Sequence, residues 1–193
     1  MYLSQKRIVR FGIVILLGAS FGYAAMGVMR QSPQEHLAAR VYDRFEELCL
    51  NVLKSDPTAA FTNGDQLSLR PVQFSAAKKA WVDPDINGIL TLTDQQCALR
   101  FSADTATDLT AASGLLRERI EAFLTLHAPD LKVDPKARMH PDDVFISWSN
   151  WQVAPAGNRR WGVVLWAGPH GSGEPTTLLS LSMPRSKDTE VTQ

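Results

Sequence analysis

The stretch Phe11–Met29 constrains this chain more than any other: nineteen residues, FGIVILLGASFGYAAMGVM, without one charged side chain. As a helix rising about 1.5 Å per residue it spans roughly the ~30 Å hydrocarbon core of a bilayer. Lys6, Arg7 and Arg10 stand before it, and Arg30 alone comes directly after it. The positive-inside rule then leaves the N-terminus in the cytoplasm and carries residues 31–193 across the membrane. The expectation is a single-pass protein of the cell inner membrane. Residues 1–30 form its cytoplasmic stub and anchor, and the membrane is its first partner, through residues 11–29.

The competing reading is a cleaved secretory signal peptide, whose apolar stretch is usually about 7 to 15 residues long and ends at small residues. Gly22-Tyr23-Ala24 and Ala25-Met26-Gly27 supply small residues at that spacing, but neither is Ala-x-Ala, and the apolar run continues past both. Run length and flanks therefore favour a retained anchor. Both readings export residues 31–193. Inside the run, Gly18 and Gly22 stand four apart, the small-xxx-small spacing that lets two membrane helices approach closely. Gly12 and Gly27 make the glycine enrichment general, so an ordinary membrane helix explains the pair equally.

Without the anchor the charge balance changes. The whole chain carries 20 basic and 20 acidic residues, but residues 1–30 hold four basic and no acidic ones, leaving residues 31–193 with a formal charge of −4. A domain of that balance lacks the basic footprint of nucleic-acid binding, so no nucleic acid is expected as partner. With 45% hydrophobic and 21% charged residues the chain is too apolar for intrinsic disorder, and two cysteines are too few for a disulfide-dense miniprotein.

Residues 31–183 read as one α+β domain with two amphipathic helices, a hairpin and a C-terminal antiparallel meander. Ser32-Pro33-Gln34-Glu35 is a helix start, with a capping serine, proline at the first position and a glutamate to complete the box. Leu37, Val41, Phe45, Leu48 and Val52 then mark an apolar stripe that predicts a helix to about Lys54. Leu67–Leu69 and Val72–Phe74 read as short strands, and Ser75–Trp81 as a strand or a helical turn. Ile89–Thr93 and Cys97–Phe101 read as a hairpin. Thr107-Asp108 offers a cap for a second helix reaching about Leu126, with Leu109, Ala112, Leu116, Ile120 and Phe123 on one face. After a connection over 128–143, Val144–Val153, Trp161–Ala167 and Thr177–Met183 predict the three-stranded meander. The polar tail 184–193 is expected to fray. The order of helix, strands, helix, strands hints at an internal repeat, but the two halves do not align as sequences.

Cys49 lies on the first helix's apolar stripe and Cys97 opens a hairpin strand. In an oxidising compartment a structural disulfide is expected, with two buried thiols as the alternative. No Cys-x-x-Cys or histidine at ligand spacing points to redox or metal chemistry.

Catalytic motifs are missing from the sequence: there is no HExxH, no Walker loop and no Rossmann glycine pattern. No catalytic residue, metal or cofactor is assigned. His140, Asp142 and Asp143 offer one imidazole and two carboxylates, yet the segment also reads as an exposed connection. His170 and Ser172 sit in a glycine-dense stretch without nucleophile-elbow spacing, which favours a hairpin loop. Arg159-Arg160 reads as a solvated loop tip.

Trp148, Trp151, Trp161 and Trp166 crowd the last third of the chain. On period-two strands they cannot all face one core, so part of this set is the candidate partner-binding surface, against ordinary packing on both faces. The function expected is that of a non-catalytic binding, accessory or assembly factor of an envelope complex. An exported hydrolase or metal-dependent enzyme and a structural spacer are the rival classes.

Overall fold

A computed structural model describes residues 32–55, 67, 69–75, 78–102, 106–137, 143–155, 160–169 and 175–183. The chain divides into two compact units, Met1–Pro33 and Gln34–Gln193, and the second carries all the sheet and helix architecture described. The expected anchor 11–29, with Gly18 and Gly22, lies outside the described residues, as does the tail 184–193. Among the described residues no helix is long and apolar enough to cross a membrane.

Helix α1 (Pro33–Phe45) runs into a π-helical turn (Glu46–Leu50) and then a short helix α2 (Val52–Ser55). One continuous α-helix to Lys54 is therefore corrected. The Asn51 N–H donates to the Glu46 carbonyl at 2.9 Å, a bond spanning five residues, so the helix widens there by one residue. Widening turns Leu48, Cys49 and Leu50, three consecutive residues, into the core. An α-helical stripe would bury only part of such a run.

Strands β1 (Arg70–Ser75), β2 (Lys78–Asp83), β3 (Gly88–Leu92) and β4 (Gln96–Ser102) form a meander. The helical turn offered as one reading of Ser75–Trp81 is overturned: Lys79 to Asp83 pair residue by residue with β3, which places Trp81 beside Leu90. Between them a 3₁₀ turn (Pro84–Ile86) ends at Asn87, whose φ of 46° is left-handed, as the Asn-Gly signal at 87–88 requires. Helix α3 spans Ala106–His127, so Thr107 lies inside it and not at its cap. β5 (Lys132–Val133) is a two-residue strand within the expected connection, followed by β6 (Val144–Ser149), β7 (Gly162–Pro169) and β8 (Pro175–Ser182). β6 is shorter than the sequence reading. Asn150 turns the chain by accepting the Val153 and Ala154 N–H groups on its carbonyl and the Trp161 N–H on its side chain.

All eight strands join one antiparallel sheet in the order β1-β2-β3-β4-β8-β7-β6-β5. Each half is a helical segment followed by a four-stranded meander, and the β4–β8 pair joins them, so the topology has the two-fold character that the order of elements hinted at, although the sequences of the halves do not align. Trp81, Leu90 and Leu99 form a cross-strand row continued by Leu179, Leu165 and Ile146. These six residues line one face, against which α3 packs on β7 and β8, and the π-helical turn on β4 and β8.

Cys49 and Cys97 form a disulfide, with Cα atoms 5.5 Å apart and both residues fully buried. It ties the π-helical turn to β4, the strand at the seam of the two halves. A covalent closure of this loop removes unfolded-state entropy worth about 4 kcal/mol in the chain-entropy model. The double variant C49A/C97A is expected to lose about 4 kcal/mol of unfolding free energy, read from urea denaturation. An unchanged midpoint would show that the crosslink contributes nothing beyond packing.

Candidate functional site

Strand periodicity divides the sheet's side chains into two sets. One set belongs to the core. The other set contains Val82, Ile89, Val164, Leu178, Trp166 and Phe145, none of which joins the core cluster. Register places Val82, Ile89, Arg100, Leu178, Trp166 and Phe145 side by side on six adjacent strands, and Arg70 on β1 extends the row at one end. At about 4.8 Å per strand the six residues cover roughly 24 Å. Ile89 is 40% exposed and Val82, Leu178, Trp166 and Phe145 are half-buried; in the neighbouring row Val72 is 39% exposed, whereas Ala80, Ala98, Ser180 and Ser147 are buried.

The four tryptophans of the sequence reading separate. Trp148 faces the helices and is 3% exposed, so its role as a docking residue is corrected to one in the core. Trp161 is half-buried against that core just before β7. Trp151 lies in the turn after β6, and its Nε1 donates to the Val133 carbonyl at 3.3 Å. Only Trp166 stands on the open face, where its Nε1 donates to Asp143 Oδ2 at 2.8 Å. That bond holds the indole in place and commits one of the carboxylates considered for catalysis. The fifth tryptophan, Trp81, is 2% exposed in the core. Strand alternation already separates Trp148 from Phe145; what the sequence lacked was the end of β6, which removes Trp151 from the sheet.

Both sheet edges are blunted. In β1 the residue Pro71 has no N–H, and the pairing with β2 is irregular between Val72 and Ser75. At the opposite edge the Asp134 N–H donates to the Ser147 carbonyl at 2.7 Å, so alternate residues of β5 point toward β6. Val133 consequently turns its carbonyl outward, and Trp151 occupies it. Arg160, itself exposed, pairs with the buried Asp134, an ion pair that fastens the residue after β5 to the start of β7, while Arg159 lies outside the described residues. Short strands, proline, bulges and capped carbonyls are the usual means of preventing strand addition.

Among the described residues two clefts lie elsewhere. One, of about 220 Å³, opens between α3 and β5 over Leu124, Leu131, Val133 and the Trp148 ring. The other, of about 270 Å³, lies between α1 and the 3₁₀ turn. There Arg44 Nε donates to the buried Asp83 at 2.6 Å, and Asp83 also accepts the Asp85 N–H, so the buried carboxylate serves the fold. Among the described residues no group of three or more His, Cys, Asp or Glu is placed to hold a metal ion. His140, Asp142, His170 and Ser172 lie outside the described residues.

A polar cluster joins the two helices. Glu46 accepts from Lys54 Nζ at 2.5 Å and from the Tyr42 hydroxyl. Lys54 lies over the Phe123 ring at 5.5 Å and Arg119 over the Tyr42 ring at 5.6 Å. Burial pushes the Glu46 carboxyl up, but the hydrogen bonds from Lys54 and Tyr42 and the charges of Lys54 and His127 outweigh it and hold it below its ordinary value. Burial and then the hydrogen bond to Glu46 push the Tyr42 hydroxyl above its ordinary range. The arrangement fits a structural clamp.

The sequence matches no protein-family model and has no significant similarity to a curated protein.

The lowered Glu46 value fixes the sign of a pH effect. Its stabilisation is present above the unfolded pKa of the carboxyl and is lost as pH falls through the folded one. Wild type is therefore expected to lose more stability than E46Q on acidification below about pH 4.5. Parallel urea midpoints for the two proteins across that range would contradict the clamp.

Proposed function

We propose that this protein is a non-catalytic binding module of the cell envelope, anchored in the inner membrane by residues 11–29, with its domain on the far side acting as an accessory or assembly factor. The open sheet face with Trp166 is the observation that carries this reading. An antiparallel sheet commonly turns one face to solvent, but such a face is then lined mainly by polar side chains. Here Val82, Ile89, Leu178, Trp166 and Phe145 make the row largely apolar, and large apolar patches on soluble surfaces mark interaction sites. Tryptophan is also enriched where protein interfaces concentrate their binding energy.

The Cys49–Cys97 disulfide supports the far-side placement, because structural disulfides persist in oxidising compartments. The uncharged run 11–29 with its basic N-terminal flank supports the anchor.

The reading is tested in membranes with a photoreactive amino acid at Ile89 or at Ala111, an exposed position on α3. A reproducible protein adduct from Ile89 and none from Ala111 is expected. Adducts from neither position, or equally from both, would remove the open face as a docking surface.

A further inference from the structure

We propose that the cleft between α3 and β5 binds a small, uncharged, mainly apolar molecule through one oxygen acceptor, which takes the hydrogen bond of the Trp148 indole N–H. The site lies on the helix side of the sheet and is independent of the docking reading of the opposite face.

An orphaned donor carries the proposal. Trp148 lines this cleft, and its Nε1 is buried with no hydrogen-bond partner. A buried indole N–H ordinarily finds an acceptor, because an unpaired one forfeits the hydration of the group. Trp151 and Trp166 follow that rule, at the Val133 carbonyl and at Asp143. Among the described residues the only other buried side-chain atom without a partner is Thr177 Oγ1, and Thr177 lines neither cleft.

The walls define the body of the ligand. Leu124 and Leu131 are buried, whereas Val133 is 48% exposed even though its register with Trp148 puts it on the core side of the sheet. The core side is therefore open at this edge. A dry cavity of about 150 Å³ with aliphatic and aromatic walls takes benzene. The volume here, about 220 Å³, admits a body of roughly six to ten heavy atoms.

The polar residues around the cleft define the head group. Lys132 borders it, but strand alternation directs the Lys132 side chain to the face opposite Val133. Glu121 is engaged by Arg117 at 2.9 Å, and the Thr125 hydroxyl donates to the Glu121 carbonyl at 2.7 Å. An anion would meet the Glu121 carboxylate and give up its hydration for a single N–H, and a cation gains nothing from a donor. A ketone, ester or amide carbonyl on an apolar body answers both constraints. Because the N–H is buried, the ligand reaches it by turning a side chain aside. The Asp134–Arg160 pair and the Trp151 bond to the Val133 carbonyl fasten the backbone of β5, which leaves the Val133 side chain as the part that moves.

The test uses the full-length chain in lipid nanodiscs, with isotope-labelled indole nitrogens and NMR detection. Two probes of one shape are compared: cyclohexanone, and methylenecyclohexane, which lacks the oxygen. The W148F variant assigns the Trp148 signal among the five tryptophans. Cyclohexanone is expected to move the Trp148 indole proton downfield saturably and to bind at least about fivefold more tightly than methylenecyclohexane. V133F, which fills the cleft mouth from an exposed position, is expected to abolish the shift with the urea midpoint retained. The two-probe comparison in wild type decides the matter even where V133F fails to fold. No saturable shift in wild type, equal affinity for the two probes, or equal movement of all five indole signals would overturn the proposal. So would a folded V133F that binds as wild type does, or a water whose nuclear Overhauser contact with the Trp148 N–H persists at saturating cyclohexanone.

Discussion

The pairing of β4 with β8 holds the architecture together. These strands end the first meander and the second, and their antiparallel contact turns two four-stranded units into one sheet. Leu99 faces Leu179 at this seam, and the two residues stand at the middle of the row that forms the buried face. The helices and the disulfide reinforce the same place: the π-helical turn packs on both strands, and Cys49 binds Cys97 at the start of β4. Separating the seam would expose Leu99, Leu179, Leu181 and Phe101 together, which connects the stability of one half to that of the other.

Burying one sheet face so completely leaves the other to be explained. Side chains alternate strictly along a strand, so each register that places Trp81, Leu90 and Leu165 inward also places Val82, Ile89 and Trp166 outward. That outward row is half-buried except at Ile89 and the arginines. It is apolar with arginines set into it, while both edges carry devices against strand addition. Together these features favour contact across the face over contact along an edge.

Much of the fold was legible because local patterns were strong. The β3–β4 hairpin, the two long helical segments and the final meander each follow from periodicity bounded by turn residues. The two-fold topology was hinted at by the order of elements but not by any repeat in the residues, and spacing shows why. Trp81, Leu90 and Leu99 follow one another at nine-residue intervals, whereas their counterparts Ile146, Leu165 and Leu179 are separated by longer connections. Helical periodicity also gave no sign of the π-helical turn, because a single inserted residue shifts a stripe without breaking it. Among the tryptophans, alternation separated Trp148 from the outward set, but only the Asn150 turn showed that Trp151 caps an edge. Trp166 gained its place through Asp143, 23 residues away in sequence, a tertiary contact that no local pattern encodes.

The central claim is that the sheet has one face committed to the core and one committed to a partner. Hydroxyl-radical footprinting of the tryptophans and phenylalanines, on full-length protein in its native membranes and after purification in detergent, measures both faces at once. Trp81 and Trp148 should be protected in both states, while Trp166 and Phe145 should react in the purified chain and be protected in the membrane. Equal reactivity of Trp166 and Phe145 in the two states would contradict the account, because the open face would then be ordinary solvated surface.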